Sequence, residues 1–183
     1  MRDLLMKHVG RSFLVFVFFV SGCGYTTRSL LPPDFKTIYV ENFKNKIAIT
    51  EEQSDVRMYR GYRPGLERDL TKDIIDRFIL DGNIKIKNDK DVDLVLSGDL
   101  VDFRKEGLRY DANDNVEEYR VTLVIDMELK DTKENKTVWT EKAFSGEATY
   151  RTSGSLAKSE GLSIKDASKD LARRVVERTV EGW

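Results

Sequence analysis

The clearest pattern in the chain is an alternation of apolar and polar residues in its second half. Apolar side chains occupy every second position and polar ones lie between them, with Val124 as the only break. The apolar set is Tyr119, Val121, Leu123, Ile125, Met127 and Leu129. This alternation predicts a strand with one buried and one wet face, as in an antiparallel sheet covered on one side.

Other segments predict further strands around this one. A first strand is expected over 37–43, a short one over 84–87, a long one over 94–110 with interruptions near Gly98 and Gly107, and a partner strand over 137–150. Polar turns at 111–115 and 132–136 separate the last three strands. The stretch 44–63 is mostly polar and is long for a connection.

Two segments show helical spacing instead. The first begins at Pro64 and ends at Gly82, with proline in the first turn and glycine after the last. Its apolar stripe is Leu66, Leu70, Ile74 and Phe78, with Ile75 and Ile79 beside them. Ser163 is expected to cap the second helix, with Asp166 completing an approximate capping box. The inner face of that helix is Ala167, Leu171, Val175 and Val180, supported by Val176.

The order of these elements is strand, helix, three or four strands, helix. Each amphipathic helix needs an apolar surface to cover, and the sheet offers one. The sequence therefore predicts an α+β fold: a two-layer sandwich in which two helices pack on one face of a mostly antiparallel four- to five-stranded sheet.

The N-terminus has the layout of a secretory signal peptide. A basic start is followed by an apolar run over 13–20, then by Ser21, Gly22 and Cys23. The stretch 20–23 resembles the lipobox of bacterial lipoproteins, which implies cleavage after residue 22 and acylation of Cys23, with palmitate among the chains. We expect a signal peptide over 1–22, a lipidated tether over 23–36 and a single domain over 37–183. A cleaved signal with an incidental cysteine, or a signal anchor, is the alternative.

Composition narrows the chemistry of the mature chain. The first 22 residues hold three basic and one acidic residue, so the 31 basic and 32 acidic residues of the full chain become 28 and 31. A net charge of −3 disfavours nucleic-acid binding. The only histidine, His8, leaves with the signal and Cys23 carries lipid, which excludes Ser-His-Asp and Cys-His catalysis and the usual zinc sites. Serine–lysine chemistry over 153–158 stays formally open. An enzyme, a metal site or a cofactor is not expected.

Several segments in order resemble the LptE family of lipopolysaccharide-assembly lipoproteins. They are the lipobox with Gly24-Tyr25, the segments 38–43, 64–67, 93–103 and 119–123, Trp139, Phe144-Ser145-Gly146 and Tyr150. The resemblance implies a lipoprotein that plugs an LptD-type outer-membrane β-barrel, supports its assembly and binds lipopolysaccharide during transport to the cell surface. Gly24, in place of an aspartate, favours the outer membrane, with the domain on the periplasmic side.

Four basic residues are the candidates for binding lipopolysaccharide, because its phosphates suit cationic groups near a hairpin end. Arg104, Lys105, Arg109 and Arg120 flank the turn at 111–115. The alternative is that they are ordinary solvated charges with acidic partners such as Glu117 and Glu118.

Two other functions remain open at this point. One is a lipoprotein that binds or activates a cell-wall synthesis enzyme, which would require a synthase partner instead of a barrel. The other is a lipoprotein hydrolase, which would require one carboxylate or serine that activity depends on.

Overall fold

A computed structural model describes residues 32–47, 58–59 and 63–182. The predicted signal peptide, Cys23, most of the tether and much of the polar stretch 44–63 lie outside these described residues. Within them the chain forms two helices and seven strands. The helices are α1 (Leu66–Asp81) and α2 (Glu160–Glu181). The strands are β1 (Thr37–Val40), β2 (Lys44–Asn45), β3 (Met58–Tyr59), β4 (Lys85–Ile86), β5 (Leu94–Tyr110), β6 (Val116–Asp131) and β7 (Lys136–Arg151).

The strands form one mixed sheet in the order β4-β1-β5-β6-β7. The three long strands β5, β6 and β7 are antiparallel, as the alternating pattern predicts. β1 runs parallel to both β4 and β5, and the two-residue strands β2 and β3 add to the outer edge of β5. The α+β class is confirmed, but four to five strands is too few, since a two-residue strand is too short to show a hydrophobic period.

Both helices cover one face of this sheet and enclose the core. α2 packs on β7 and β6, and α1 packs beside α2. The largest buried side chains come from both layers; among them are Phe78, Leu70, Leu171, Phe103, Leu123 and Ile125. The inner face predicted for the second helix is buried throughout. The opposite face of the sheet carries no helix of the described chain, and we call it the uncovered face.

The end of α1 is formed as predicted, but its apolar stripe is narrower. Gly82 adopts φ 75°, and its N–H bonds to the Phe78 carbonyl at 3.1 Å, so glycine closes the helix in the left-handed conformation. Ile79, expected beside the stripe, is 64% exposed. It follows Phe78 by one residue, about 100° around the helix, which turns its side chain away from the sheet.

α2 begins one turn earlier than the sequence indicates. Its cap is Ser159, whose hydroxyl accepts from the Leu162 N–H at 3.3 Å. Ser163 is fully buried and donates to the Ser159 carbonyl, while Asp166 pairs with Lys158 at 3.0 Å. The predicted cap at Ser163 is therefore wrong, because that side chain belongs to the buried stripe and two serines in one turn could each serve as a cap.

The edge of β7 is occupied by polar side chains of α2. The Glu147 N–H donates to the Asp170 carboxylate at 3.1 Å, and the Arg174 guanidinium donates to the Ser145 carbonyl at 2.5 Å. Between these residues, Gly146 lies against the helix backbone. A Cβ at this position would come within 2.4 Å of the Leu171 nitrogen, so only glycine allows this close approach.

Asp93 ties the start of β1 to the rest of the sheet. Its carboxylate accepts from the Lys36 and Thr37 amides and the Thr37 hydroxyl, each at 2.9 Å, and pairs with the Lys133 ammonium at 2.6 Å. Lys133 is the main reason that the pKa of Asp93 lies far below its ordinary value of 3.8; the amide and hydroxyl donors add to it and burial opposes it. This carboxylate therefore stays ionised in the folded protein well into acid.

We expect Asp93→Ala to lower the free energy of unfolding by about 2 kcal/mol at pH 7, because two backbone donors lose their acceptor. Folding depresses the pKa, so the contribution is complete above about pH 4 and is lost as the pH falls below it. Urea unfolding of parent and variant at pH 7 and between pH 4 and 2 measures both effects. The difference in free energy of unfolding between parent and variant should become smaller in acid. Asp99→Ala is the control, since no described residue forms an ion pair with the Asp99 carboxylate; equal losses for both variants would contradict the assignment.

Candidate functional site

The uncovered face brings together three of the four predicted basic residues. Strand register places Arg104 opposite Thr122 and Arg109 opposite Glu118. Arg120 lies between these two β6 residues, two positions from each, so its side chain points to the same face of the sheet as theirs. These β6 positions alternate with buried Val121 and Leu123, which face the helices. Arg104, Arg109 and Arg120 therefore share one face at the hairpin end of the sheet.

Each of these arginines has an acidic neighbour in the same layer. The Nε–carboxylate distances are 3.3 Å for Arg104–Asp102, 3.7 Å for Arg109–Glu118 and 3.5 Å for Arg120–Glu147. Glu118 was expected as such a partner; Glu117 instead provides a backbone carbonyl to Thr152. The guanidinium groups are partly exposed, so these pairs are weak and exchangeable.

Two of the arginines retain unused donor groups. The Nε atoms of Arg104 and Arg120 are shielded from solvent, and neither has a hydrogen-bond partner among the described residues. Their ion pairs bring charge close without the geometry of a hydrogen bond. A buried donor without an acceptor is costly, and because both side chains are partly exposed, a small reorientation would present these groups to a strong acceptor such as a phosphate oxygen.

Lys105, the fourth candidate, lies on the opposite face, toward the helices. Its ammonium bonds to Glu160 at 2.7 Å and stands 4.4 Å over the Tyr119 ring, which stacks on Tyr150 at 5.5 Å. Arg63 also pairs with Glu160. This group of residues joins three strands to the first turn of α2.

Burial opposes charge on Lys105 and Glu160 and is the largest single effect on each pKa, but their mutual hydrogen bond and the attraction of nearby charges together outweigh it. The pKa of Lys105 is raised above 10.5 and that of Glu160 is lowered below 4.5. Both groups are therefore ionised at neutral pH. The pair stabilises the start of α2 and holds the lysine amine away from the uncovered face.

A β-bulge explains why the candidates separate. The register of β5 shifts between Leu100 and Asp102, so the helix-facing positions change from even to odd numbers. Regular alternation from Leu94, Leu96 and Leu100 would place Arg104 toward the helices. The sequence does carry a signal for this bulge, since the next buried apolar residue after Leu100 is Phe103, an odd position.

In the segment considered for serine–lysine chemistry, the Lys158 ammonium pairs with Asp166 at 3.0 Å. Across the part of the chain that the structure describes, no group of three histidine, cysteine or acidic residues is placed to hold a metal ion. In the same part, neither helix combines the length and apolarity that a membrane span requires.

Comparison with known families identifies the fold's relatives. A family model described as LptE, lipopolysaccharide-assembly, matches residues 35–179, which is most of the chain. The chain belongs to the LptE family. The resemblance read from the sequence is thereby confirmed, and membership places the protein among non-enzymatic lipoproteins of lipopolysaccharide assembly.

Solved structures similar to this LptE-family chain share its fold. They include lipoprotein B from Nitrosomonas europaea (14% identity, covering 82% of this chain and 84% of that one, TM-score 0.53). Protein CT253 from Chlamydia trachomatis is 10% identical over 79% of this chain and 95% of its own, with a TM-score of 0.51. Protein XCC0632 from Xanthomonas campestris is 14% identical over 85% and 92%, with a TM-score of 0.50. No curated protein sequence matches the chain.

Proposed function

We propose that this LptE-family protein is a lipoprotein, anchored through Cys23 to the periplasmic side of the outer membrane. There it plugs an LptD-type β-barrel, supports the assembly of that barrel and binds lipopolysaccharide on its way to the cell surface. The family match and the lipobox-like stretch 20–23 support the anchor and the pathway. No enzymatic step belongs to this proposal.

The observation that carries lipopolysaccharide binding is the pair of unused, shielded Nε donors on Arg104 and Arg120. Both arginines lie on the uncovered face, and Arg109 lies beside them at the hairpin end. Asp102 and Glu147 lie at ion-pair distance from these Nε donors but do not accept hydrogen bonds from them. A phosphorylated glycolipid would supply oxygens that can accept such bonds. Lys105 is the fourth candidate, and its amine must leave Glu160 before it can bind a phosphate.

The shape of the domain also suits a barrel lumen. One face of the sheet is sealed by helices and the other is lined with charged and hydroxyl side chains, including Asp99, Asp126 and Thr140. The lumen of a wide outer-membrane barrel is polar and needs a plug with a polar surface. The uncovered face meets that requirement without repacking the core.

Depletion of the protein in its native host tests the function as a whole. We expect loss of surface lipopolysaccharide together with misassembly of the barrel, and a barrel that co-purifies with the lipidated protein. Normal lipopolysaccharide and a correctly assembled barrel after depletion would refute the proposal. Co-purification of a cell-wall synthase without a barrel would favour the alternative function.

A double variant tests the ligand contacts. We expect Arg104→Gln with Arg120→Gln to weaken lipopolysaccharide binding by about tenfold in a titration with purified protein, since two charge-assisted bonds are lost. Lys130→Gln is the matched control, because Lys130 is a half-exposed cation on the same face of β6 at its other end.

The control should bind as the parent does. The same loss in Lys130→Gln would indicate general charge attraction, and unchanged binding in the double variant would rule out these arginines. Lys105→Gln, measured in the same titration, shows whether the lysine bound to Glu160 takes part.

A further inference from the structure

The last turn of α1 exposes two consecutive large apolar side chains. Ile79 is 64% exposed and Leu80 is 75% exposed, and both point away from the sheet. The exposed residues that precede them on this helix are charged, as in the Lys72–Asp76 pair. Two adjacent aliphatic side chains on an otherwise charged helix surface suggest contact with an apolar partner.

These two residues lie at the end of the domain where the tether enters. The chain after α1 turns at Gly82 into β4, and the Lys85 N–H bonds to the Lys36 carbonyl at 2.9 Å. Five residue steps separate Leu80 from Lys85, which limits that distance to about 17 Å. The hairpin turn at 111–115 and the start of α2 lie at the opposite end of the long strands.

The tether joins this end of the domain to the lipid anchor. Thirteen residues, 24–36, separate Cys23 from β1, so a fully extended tether reaches about 45 Å. With Cys23 held in a bilayer, as the proposed function requires, the end of the domain that bears Ile79 and Leu80 is the end joined to the membrane. The bilayer is therefore the apolar partner nearest to this pair.

We propose that Ile79 and Leu80 form a membrane-contact site that orients the tethered domain against the lipid surface before the domain enters the barrel. Two aliphatic side chains are too few to hold a free protein on a membrane. Tethering makes the contact intramolecular, so that a weak interaction is enough to select one orientation. Since Lys72 and Asp76 neutralise each other beside the pair, the contact does not require anionic lipid. This inference rests on lipidation of Cys23.

A labelled variant tests the contact in the lipidated full chain. Leu80→Cys is modified with an environment-sensitive fluorophore, since acylation occupies the chain's only natural cysteine. The protein is placed in phosphatidylcholine vesicles containing a lipid with a nitroxide on its acyl chain. We expect quenching at position 80 to be at least twofold greater than at the control, Leu162→Cys, which is similarly exposed (57%) on the first turns of α2 at the far end.

The possible outcomes separate this inference from the anchor itself. Vesicle flotation reports lipidation first: a protein that does not float refutes the Cys23 anchor, and the membrane-contact site with it. A protein that floats but shows equal quenching at both positions overturns only the contact site. Fluorophore self-quenching at position 80 without quenching by the nitroxide would assign the pair to a second copy of the chain, which also overturns it. Adding Ile79→Ser to the labelled variant should reduce quenching toward the control.

Discussion

Gly146→Ala is expected to lower the free energy of unfolding by about 3 kcal/mol. The new Cβ would lie 2.4 Å from the Leu171 nitrogen and 2.5 Å from its Cα, which are backbone atoms that no rotamer change can move. The helix must therefore shift away from β7, and Leu171, which is fully buried, must shift with it. Chemical unfolding of parent and variant measures the loss.

A second glycine in the neighbouring helix provides the control. Nothing lies within 4 Å of the Cβ position of Gly161 in α2, so Gly161→Ala adds helix propensity without a clash. That variant should gain up to about 1 kcal/mol. A Gly146→Ala protein as stable as the parent would mean that the helix and β7 are not in close contact.

Phe103→Ala is expected to lower the free energy of unfolding by about 3–5 kcal/mol. Phe103 is completely buried on the central strand β5, beneath the helices and just after the bulge. Removing the ring leaves a cavity between two layers that α2 and the sheet hold apart. The backbone of β5 is paired on its β6 side through this region and cannot collapse to fill it.

Leu108→Ala on the same strand is the matched control, since Leu108 is 40% exposed. Leu108→Ala should lower the free energy of unfolding by less than about 1 kcal/mol, because the Leu108 side chain stays partly in water in the folded protein. Similar losses for the two variants would show that Phe103 is not part of a closely packed core. The difference between them therefore tests the bulge, which alone places an odd-numbered residue of β5 toward the helices.

The sequence was sufficient for the long elements because their hydrophobic periods persist over many residues. β5, β6, β7 and α1 begin and end within about three residues of the prediction. The two-residue strands and the parallel pairing of β1 depend on contacts between distant segments, which no local period records. The start of α2 was predicted wrongly for a different reason. Ser159 and Ser163 both suit a cap, and only the burial of Ser163 in the folded protein decides between them.

The candidate binding residues were predictable as a group near the hairpin, but their separation was not. Three arginines and one lysine flank the same turn, and their order in the chain says nothing about the face that each occupies. A one-residue bulge reverses that face for the residues that follow it until the next register shift, which in β5 lies between Gly107 and Arg109. The acidic partners at Glu147 and Glu160 come from β7 and α2, so sequence proximity to Glu117 and Glu118 identified only one of the actual pairs.

The side chains of α2 on the edge of β7 also limit how another protein can associate with this domain. A partner that joined the sheet as an additional strand would need the Glu147 N–H and the Ser145 carbonyl, which Asp170 and Arg174 already occupy. Association through this part of the β7 edge must therefore use side-chain surfaces, or first displace two charged groups of a packed helix. The same two residues protect this part of the β7 edge from strand-to-strand polymerisation.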